Sequence, residues 1–247
     1  KYEIRKTPIL LNLPPAWIHH LRFGEAEPAD AERLELRPRD SFKIAEQRFD
    51  WDALLFIGPL LVWAFARKKL WPALLAIPVA LFFRDPDRDT KPNSEVILAG
   101  ADGEVLDIAD VEELELGEGK WTRIAVFLSI TDVHVNRAPA AGKVSKVWHK
   151  QGLFEVASTP EAVHNESVYT QIETANGPVV VAQRVGAVAR RIVNRNKPNS
   201  LLAQGEKFGL MRFGSRLDVY IPAGKAEVLV QVGDVVIGGE SVLAAYK

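Results

Sequence analysis

The chain has 247 residues, a net charge of −1 and no cysteine. That length accommodates one large domain or two small ones, and the near-neutral balance, with no basic arm, argues against a nucleic-acid partner. Disulfides, thiolate metal sites and cysteine nucleophiles are excluded, and five histidines (His19, His20, His134, His149, His164) without the spacing of a helical zinc motif give no reason to expect a metal.

Taken in chain order, the first 50 residues are mixed. The charged stretch Lys1 to Lys6 does not read as a secretory leader. Ile9 to Leu13 is mostly apolar and ends at Pro14-Pro15, and Ala26 to Asp40 is charged and proline-bearing. This region is expected to be an extension packed loosely on the rest. Residues 51–83 differ sharply. Ala53 to Ala66 and Leu70 to Phe83 are two uncharged runs of 14 residues on either side of a basic elbow, Arg67-Lys68-Lys69. Each run falls short of the roughly 20 residues a spanning helix needs. Pro59, Pro72 and Pro78 bend or bound helices. The plainer reading is a buried helical hairpin. The preferred one is a membrane-associating hairpin that dips into one leaflet, with Trp51, Trp63 and Trp71 near the interface. Asp85 to Ser94 is a polar, proline-broken linker.

From Glu95 to Lys247 the texture is β. Strand-like runs begin at Glu104, Trp121, Ser167 and Pro178, with Asn176-Gly177 the clearest hairpin signal, and shorter ones begin at Gly142 and Val232. The fold class expected is α+β: a mainly β core of short antiparallel strands, barrel-sandwich-like, preceded by the apolar hairpin. The last strands have the turn pattern of biotinyl and lipoyl carriers, but no lysine stands at a hairpin tip in the required context.

Four segments are candidates for chemistry. Gly214-Ser215 is either a hairpin corner or a bond that breaks itself, because serine Oγ can attack the preceding carbonyl and glycine adds no bulk there. Asp102-Gly103 is a turn, or a carboxylate placed to orient a base. His134 ends a strong strand, either as a hydrogen-bonded structural residue or as a proton carrier near neutral pH. His164-Asn165-Glu166 is a polar loop, or a set of hydrogen bonds pinning a site.

Together, Arg84-Asp-Pro, Ala101-Asp-Gly, Asp132-Val-His-Val-Asn-Arg-Ala-Pro139, Asn165-Glu166 and Phe208-Gly-Leu-Met-Arg-Phe-Gly-Ser-Arg-Leu-Asp218 resemble the phosphatidylserine decarboxylases, in particular the short bacterial form. The resemblance spans about residues 52 to 247. It implies a proenzyme that cuts itself between Gly214 and Ser215 into a β chain (1–214) and an α chain (215–247). Ser215 Oγ would form an ester with the Gly214 acyl group, and β-elimination followed by loss of ammonia would leave a covalent pyruvoyl cofactor at position 215. That group would form a Schiff base with the substrate amine and accept the electrons released with carbon dioxide. His134 is then the expected base and proton donor, and Asp102 the residue that orients it, as in a triad. Arg137 stands where some longer relatives carry a second histidine. A contact to the lipid phosphate or carboxylate and a surface salt bridge are equally open for it. Asn165 and Glu166 are the other substrate-binding candidates.

The partners implied are phosphatidylserine and membrane lipid, the two chains of one precursor, and by analogy a second copy in a homodimer. The place implied is the cytoplasmic face of the cell membrane. Two alternatives stay beside this reading: a decarboxylase of another serine lipid, such as archaetidylserine, and a non-catalytic membrane-anchored β module.

Overall fold

The computed structural model describes residues 2–9, 16–23, 27–34, 36, 41–44, 46–187, 191–212 and 214–247. The Pro14-Pro15 stop and part of the Ala26 to Asp40 stretch lie outside the described residues, as does Phe213 within the Gly-Ser motif.

The fold is mainly β, as its alternating sequence implies. Its centre is an eight-stranded sheet. In chain order the strands are β1 (Gly103–Val111), β2 (Trp121–Leu128), β3 (Gly142–Lys150), β4 (Ser167–Thr174), β5 (Gly177–Arg184), β6 (Leu201–Leu202), β7 (Ser215–Pro222) and β8 (Val235–Val236). Their spatial order is β6-β3-β4-β5-β7-β2-β1-β8, and every neighbouring pair is antiparallel. The β4–β5 hairpin closes beside Asn176, with Thr174 paired to Gly177 and Gly177 at φ +114°, a backbone that favours glycine.

Period-two alternation divides the sheet into two faces. Val105, Ile124, Val126, Val179, Val181, Leu217, Val219 and Ile221 share the main core with Ile97 and Leu243 from the neighbouring three-stranded sheet. The opposite face carries Trp121, Tyr169, Val180, Ala182 and Tyr220, together with a buried polar network. Arg184 donates to Asp218 (2.7 Å), to Tyr220 (2.7 Å) and to Tyr169 (3.1 Å), and Arg216 donates to the other oxygen of Asp218 (2.6 Å). Burial alone would push the Asp218 carboxyl up, but Arg216 and Arg184 outweigh it and hold it below its ordinary range. The network therefore fastens β7 to β5 with charges that cannot be separated cheaply.

Two helices precede the sheet: α1 (Ala53–Arg67), with Pro59 inside it, and α2 (Trp71–Phe82), with Pro72 in its first turn and Pro78 inside. Lys68 ends α1 in the left-handed region and reverses the chain. Much of the pair's apolar surface is open, Phe65 to 88%, Leu70 to 74% and Val62 to 68%. Among the described residues no helix is long and apolar enough to cross a membrane. The root packs on the β domain: Ala53, Phe82 and Phe83 form a cluster with Leu210.

Of the first 50 residues, Tyr2–Ile9 pairs with Ala16–Phe23 and Ser41–Ile44 with Gln47–Asp50. The second hairpin is tied down at its end. Asp50 is fully buried and bridges Lys207 (2.5 Å) and Arg195 (3.1 Å), and its N–H donates to the Phe83 carbonyl.

Candidate active site

Strand registers bring the segments singled out in the sequence to one end of the sheet. Ser215, the first residue of β7, pairs with Leu128 at the end of β2; Glu104, near the start of β1, pairs with Phe127. On the other flank Arg216 pairs with Arg184, and Arg184 with Ser167. Asp102, the loop after Leu128, Gly214-Ser215, Val185-Gly186 and Asn165-Glu166 thus sit at neighbouring strand ends. The loop after β2 carries His134 and enters the short strand Val135–Arg137, which pairs with Lys207–Met211. The His134 carbonyl accepts the Met211 N–H, four residues before Ser215.

Ser215 is fully buried, and its Oγ has no hydrogen-bond partner among the described residues. A buried hydroxyl without a partner costs stability, so this atom contributes nothing to holding the fold that its removal would lose. It follows Gly214, whose φ of +63° is a conformation that side chains disfavour. A Cβ on Gly186 would lie 2.0 Å from the Gly214 oxygen, so only glycine lets the two backbones approach this closely. Gly186 escapes sequence reasoning; its signal is only that a glycine ends a strong strand. Gly186→Ala should push the Gly214 carbonyl out of place. A misplacement near 1 Å costs about 100-fold in a positioned reaction, so conversion of the precursor on a denaturing gel should slow at least that much.

His134 is 2% exposed. Its Nδ1 bonds the carbonyl of Asp132 at 3.0 Å, and its Nε2 is buried with no partner. Burial is the main influence on the ring and pulls its pKa down to about 4; the Asp132 carbonyl and carboxylate oppose that pull, and Arg84 adds to it. The imidazole is therefore neutral at physiological pH, with the Asp132 carbonyl holding the proton on Nδ1 and Nε2 left as the acceptor. Depression of a histidine pKa has a stability consequence. Between pH 6.5 and 4 the unfolded chain binds a proton here that the native state refuses, so stability should fall as pH falls through that window, by about 3 kcal/mol from this group. Urea unfolding of a Ser215→Ala precursor between pH 7 and 4.5 should show that slope, and His134→Gln should flatten it.

The remaining expected residues fall differently. Asp102 makes no hydrogen bond to His134. Its Oδ1 accepts the Gly238 N–H (2.8 Å) and its Oδ2 pairs with Arg88 (2.6 Å). The triad-like Asp102–His134 contact expected from the sequence is thus replaced by a local one, in which the chain two residues before the histidine orients it. Arg137 is not at a surface: it is 2% exposed and donates to the buried Asp85 at 2.8 Å and to the Pro86 carbonyl at 3.2 Å. It braces the linker after α2 rather than facing a ligand.

Asn165 is fully buried and accepts the Glu155 N–H while donating to the Glu155 and Val185 carbonyls. The Val185 N–H donates to the Glu166 carbonyl. These bonds fix the strand end that carries Gly186 against Gly214. The Glu166 carboxylate faces His149 at 2.9 Å. No group of three or more acidic or histidine side chains among the described residues is arranged to hold a metal.

Ser215 Oγ and His134 Nε2 are both buried without a partner among the described residues, so the two are not hydrogen-bonded to each other here. A serine hydroxyl after a glycine carbonyl, with a neutral histidine on the adjoining loop, is the residue set that acyl transfer within the chain would use. The phosphatidylserine decarboxylase family model matches residues 75–244, well over half of the sequence. The chain belongs to the phosphatidylserine decarboxylase family. Membership makes it a decarboxylase of phospholipid biosynthesis, in a family that generally works through a pyruvoyl group. The match takes in α2 from Leu75 onward, the linker and all eight strands of the sheet.

Proposed function

We propose that the chain is a self-maturing phosphatidylserine decarboxylase that converts phosphatidylserine to phosphatidylethanolamine and carbon dioxide at a membrane surface. The observation that carries this is Ser215: a buried hydroxyl without a partner, directly after a glycine in the left-handed region, at the head of a central strand.

Maturation starts at Ser215 Oγ. Nε2 of His134 takes its proton, and Oγ adds to the Gly214 carbonyl. The C–N bond of Gly214-Ser215 breaks and an ester forms in its place. Elimination across the serine Cα–Cβ bond then releases the Gly214 carboxylate, and hydrolysis of the new terminus releases ammonia, leaving a pyruvoyl group at position 215. The site fits that group: the cut falls at a strand end, and the atom consumed is one that no folding contact uses. β7 remains paired on both sides, to β5 and to β2, and Val242–Tyr246 remains paired to Val96–Leu98, so the residue 215–247 chain stays in the sheet after cutting.

The pyruvoyl group, when formed, supplies the electron sink for loss of carbon dioxide. His134, neutral at rest, would first take a proton from the substrate ammonium at Nε2 and then return it to the carbon that lost the carboxylate. Asn165 and the Glu166 carbonyl hold the neighbouring backbone in place. The open apolar surface of α1 and α2, with the basic elbow Arg67-Lys68-Lys69, supports docking on the anionic cytoplasmic face of a membrane, where the headgroup is presented.

Purified protein given vesicles of phosphatidylserine should release carbon dioxide and form the ethanolamine lipid. Ether-linked serine lipid, offered in parallel, distinguishes tail specificity from headgroup chemistry. No carbon dioxide from either lipid, in folded and cleaved protein, would overturn the proposal.

A further inference from the structure

The root of the helical hairpin does more than attach it. Phe82, the last residue of α2, is 5% exposed, and its ring centroid lies 4.2 Å from that of His134, tilted by 38°. Phe83 meets Phe82 edge-on at 5.1 Å and stacks on Phe56 of α1 at 5.3 Å. Asp50, Phe82, Phe83, His134, Val135 and Leu210 line a cavity of about 10 Å³, no larger than one water needs. The same root grips the chain just before the scissile bond: the Arg212 guanidinium lies over the Phe56 ring at 4.9 Å and pairs with Asp52, which precedes α1, at 3.0 Å. Both ends of the hairpin thus converge on the two segments that flank the candidate chemistry.

We infer that Phe82 is a positioning residue for His134, and that the hairpin root forms the wall that holds this ring in place and keeps water from it. The inference rests on the reading of His134 as the base in maturation.

The charged groups around the ring leave this role to Phe82. On the histidine's own loop, the Asp132 carboxylate is engaged by the Ser129 N–H. After α2, Arg84 donates to the Thr131 and Leu81 carbonyls. Asp50 lines the cavity but is held as a carboxylate by Lys207 and Arg195, whose charges outweigh the cost of burying it. Arg212 is engaged by Asp52. None of these donates to or accepts from Nε2 of His134, so apolar cover is what limits solvent at this buried atom to the one-water cavity beside it. Phe82 brings no charge, so its contribution is exclusion of water and contact with one face of the ring.

The test uses the full chain in detergent micelles, with the precursor trapped by Ser215→Ala and its histidines labelled for NMR. In that background the His134 titration should have its midpoint near 4. Phe82→Ala should move the midpoint toward the ordinary value of 6.5, and Phe82→Leu, which keeps apolar cover but loses the ring, should move it less. With Ser215 retained, cutting by the parent should be level between pH 7.5 and 5.5. In Phe82→Ala it should fall over that range as His134 becomes protonated, by up to about tenfold if the midpoint reaches 6.5. An unchanged His134 midpoint in a folded Phe82→Ala precursor would overturn the inference. If the alanine variant does not fold, Phe82→Leu carries the same test, and a midpoint equal to the parent's would overturn it equally. The underlying reading fails separately: His134→Ala cutting at the parent rate removes the base while saying nothing against the Phe82 contact.

Discussion

Ser215→Ala should leave one uncut chain and release no carbon dioxide. Chemistry and folding separate at this atom. Oγ makes no hydrogen bond in the native state, so removing it breaks no contact and relieves an unsatisfied buried polar group. The variant should be as stable as the parent or slightly more so. The backbone of β7, with its pairing to β5 and β2, is untouched. The chain has no cysteine to substitute as nucleophile, so the loss should be complete rather than partial. The measurement is a denaturing gel beside a thermal melt. A folded Ser215→Ala protein that is still cut and still active would show the assignment to be wrong.

His134→Ala should slow cutting by about 10²- to 10⁴-fold, the usual worth of a positioned general base. Serine is a weak nucleophile without one. The structure offers His134 as a base that is already neutral, with Nδ1 committed to the Asp132 carbonyl and Nε2 uncommitted. Because the ring is buried, the variant also leaves a space beside Phe82 and should be less stable. The time course of cutting must therefore be read together with an unfolding curve. A folded His134→Ala precursor that matures at the parent rate would point to another base.

Much of the architecture was legible in the sequence, and the reason is periodicity. The alternating runs from Trp121, Ser167 and Pro178 became long strands because one face of each meets the core. The uncharged runs on either side of Arg67-Lys68-Lys69 became α1 and α2. The Gly-Ser bond and His134 were legible because their residue types limit the chemistry open to them.

Contacts between distant segments were not legible. A carboxylate just before a strand reads as an orienting group, yet Asp102 is taken by Arg88 and Gly238. Arg137 reads equally as a lipid contact or a surface salt bridge, yet it lies inside against Asp85, 52 residues earlier in the chain. Arg184 and Asp218 look like the polar side of strands and are in fact a buried pair. Phe82 looks like one more apolar residue of a hairpin until its ring is found against His134. In each case the side chain's own type is uninformative, and its meaning comes from a partner that only the fold supplies.

On the function proposed here, Gly214-Ser215 breaks itself to make the cofactor. Intact mass measurement of purified, folded protein tests it most directly. Under denaturing conditions two polypeptides should appear, residues 1–214 and residues 215–247, the smaller with its amino group replaced by a keto group, while under native conditions they should travel together because β7 stays in the sheet. A single mass equal to the uncut chain, in folded protein that decarboxylates phosphatidylserine, would contradict the account.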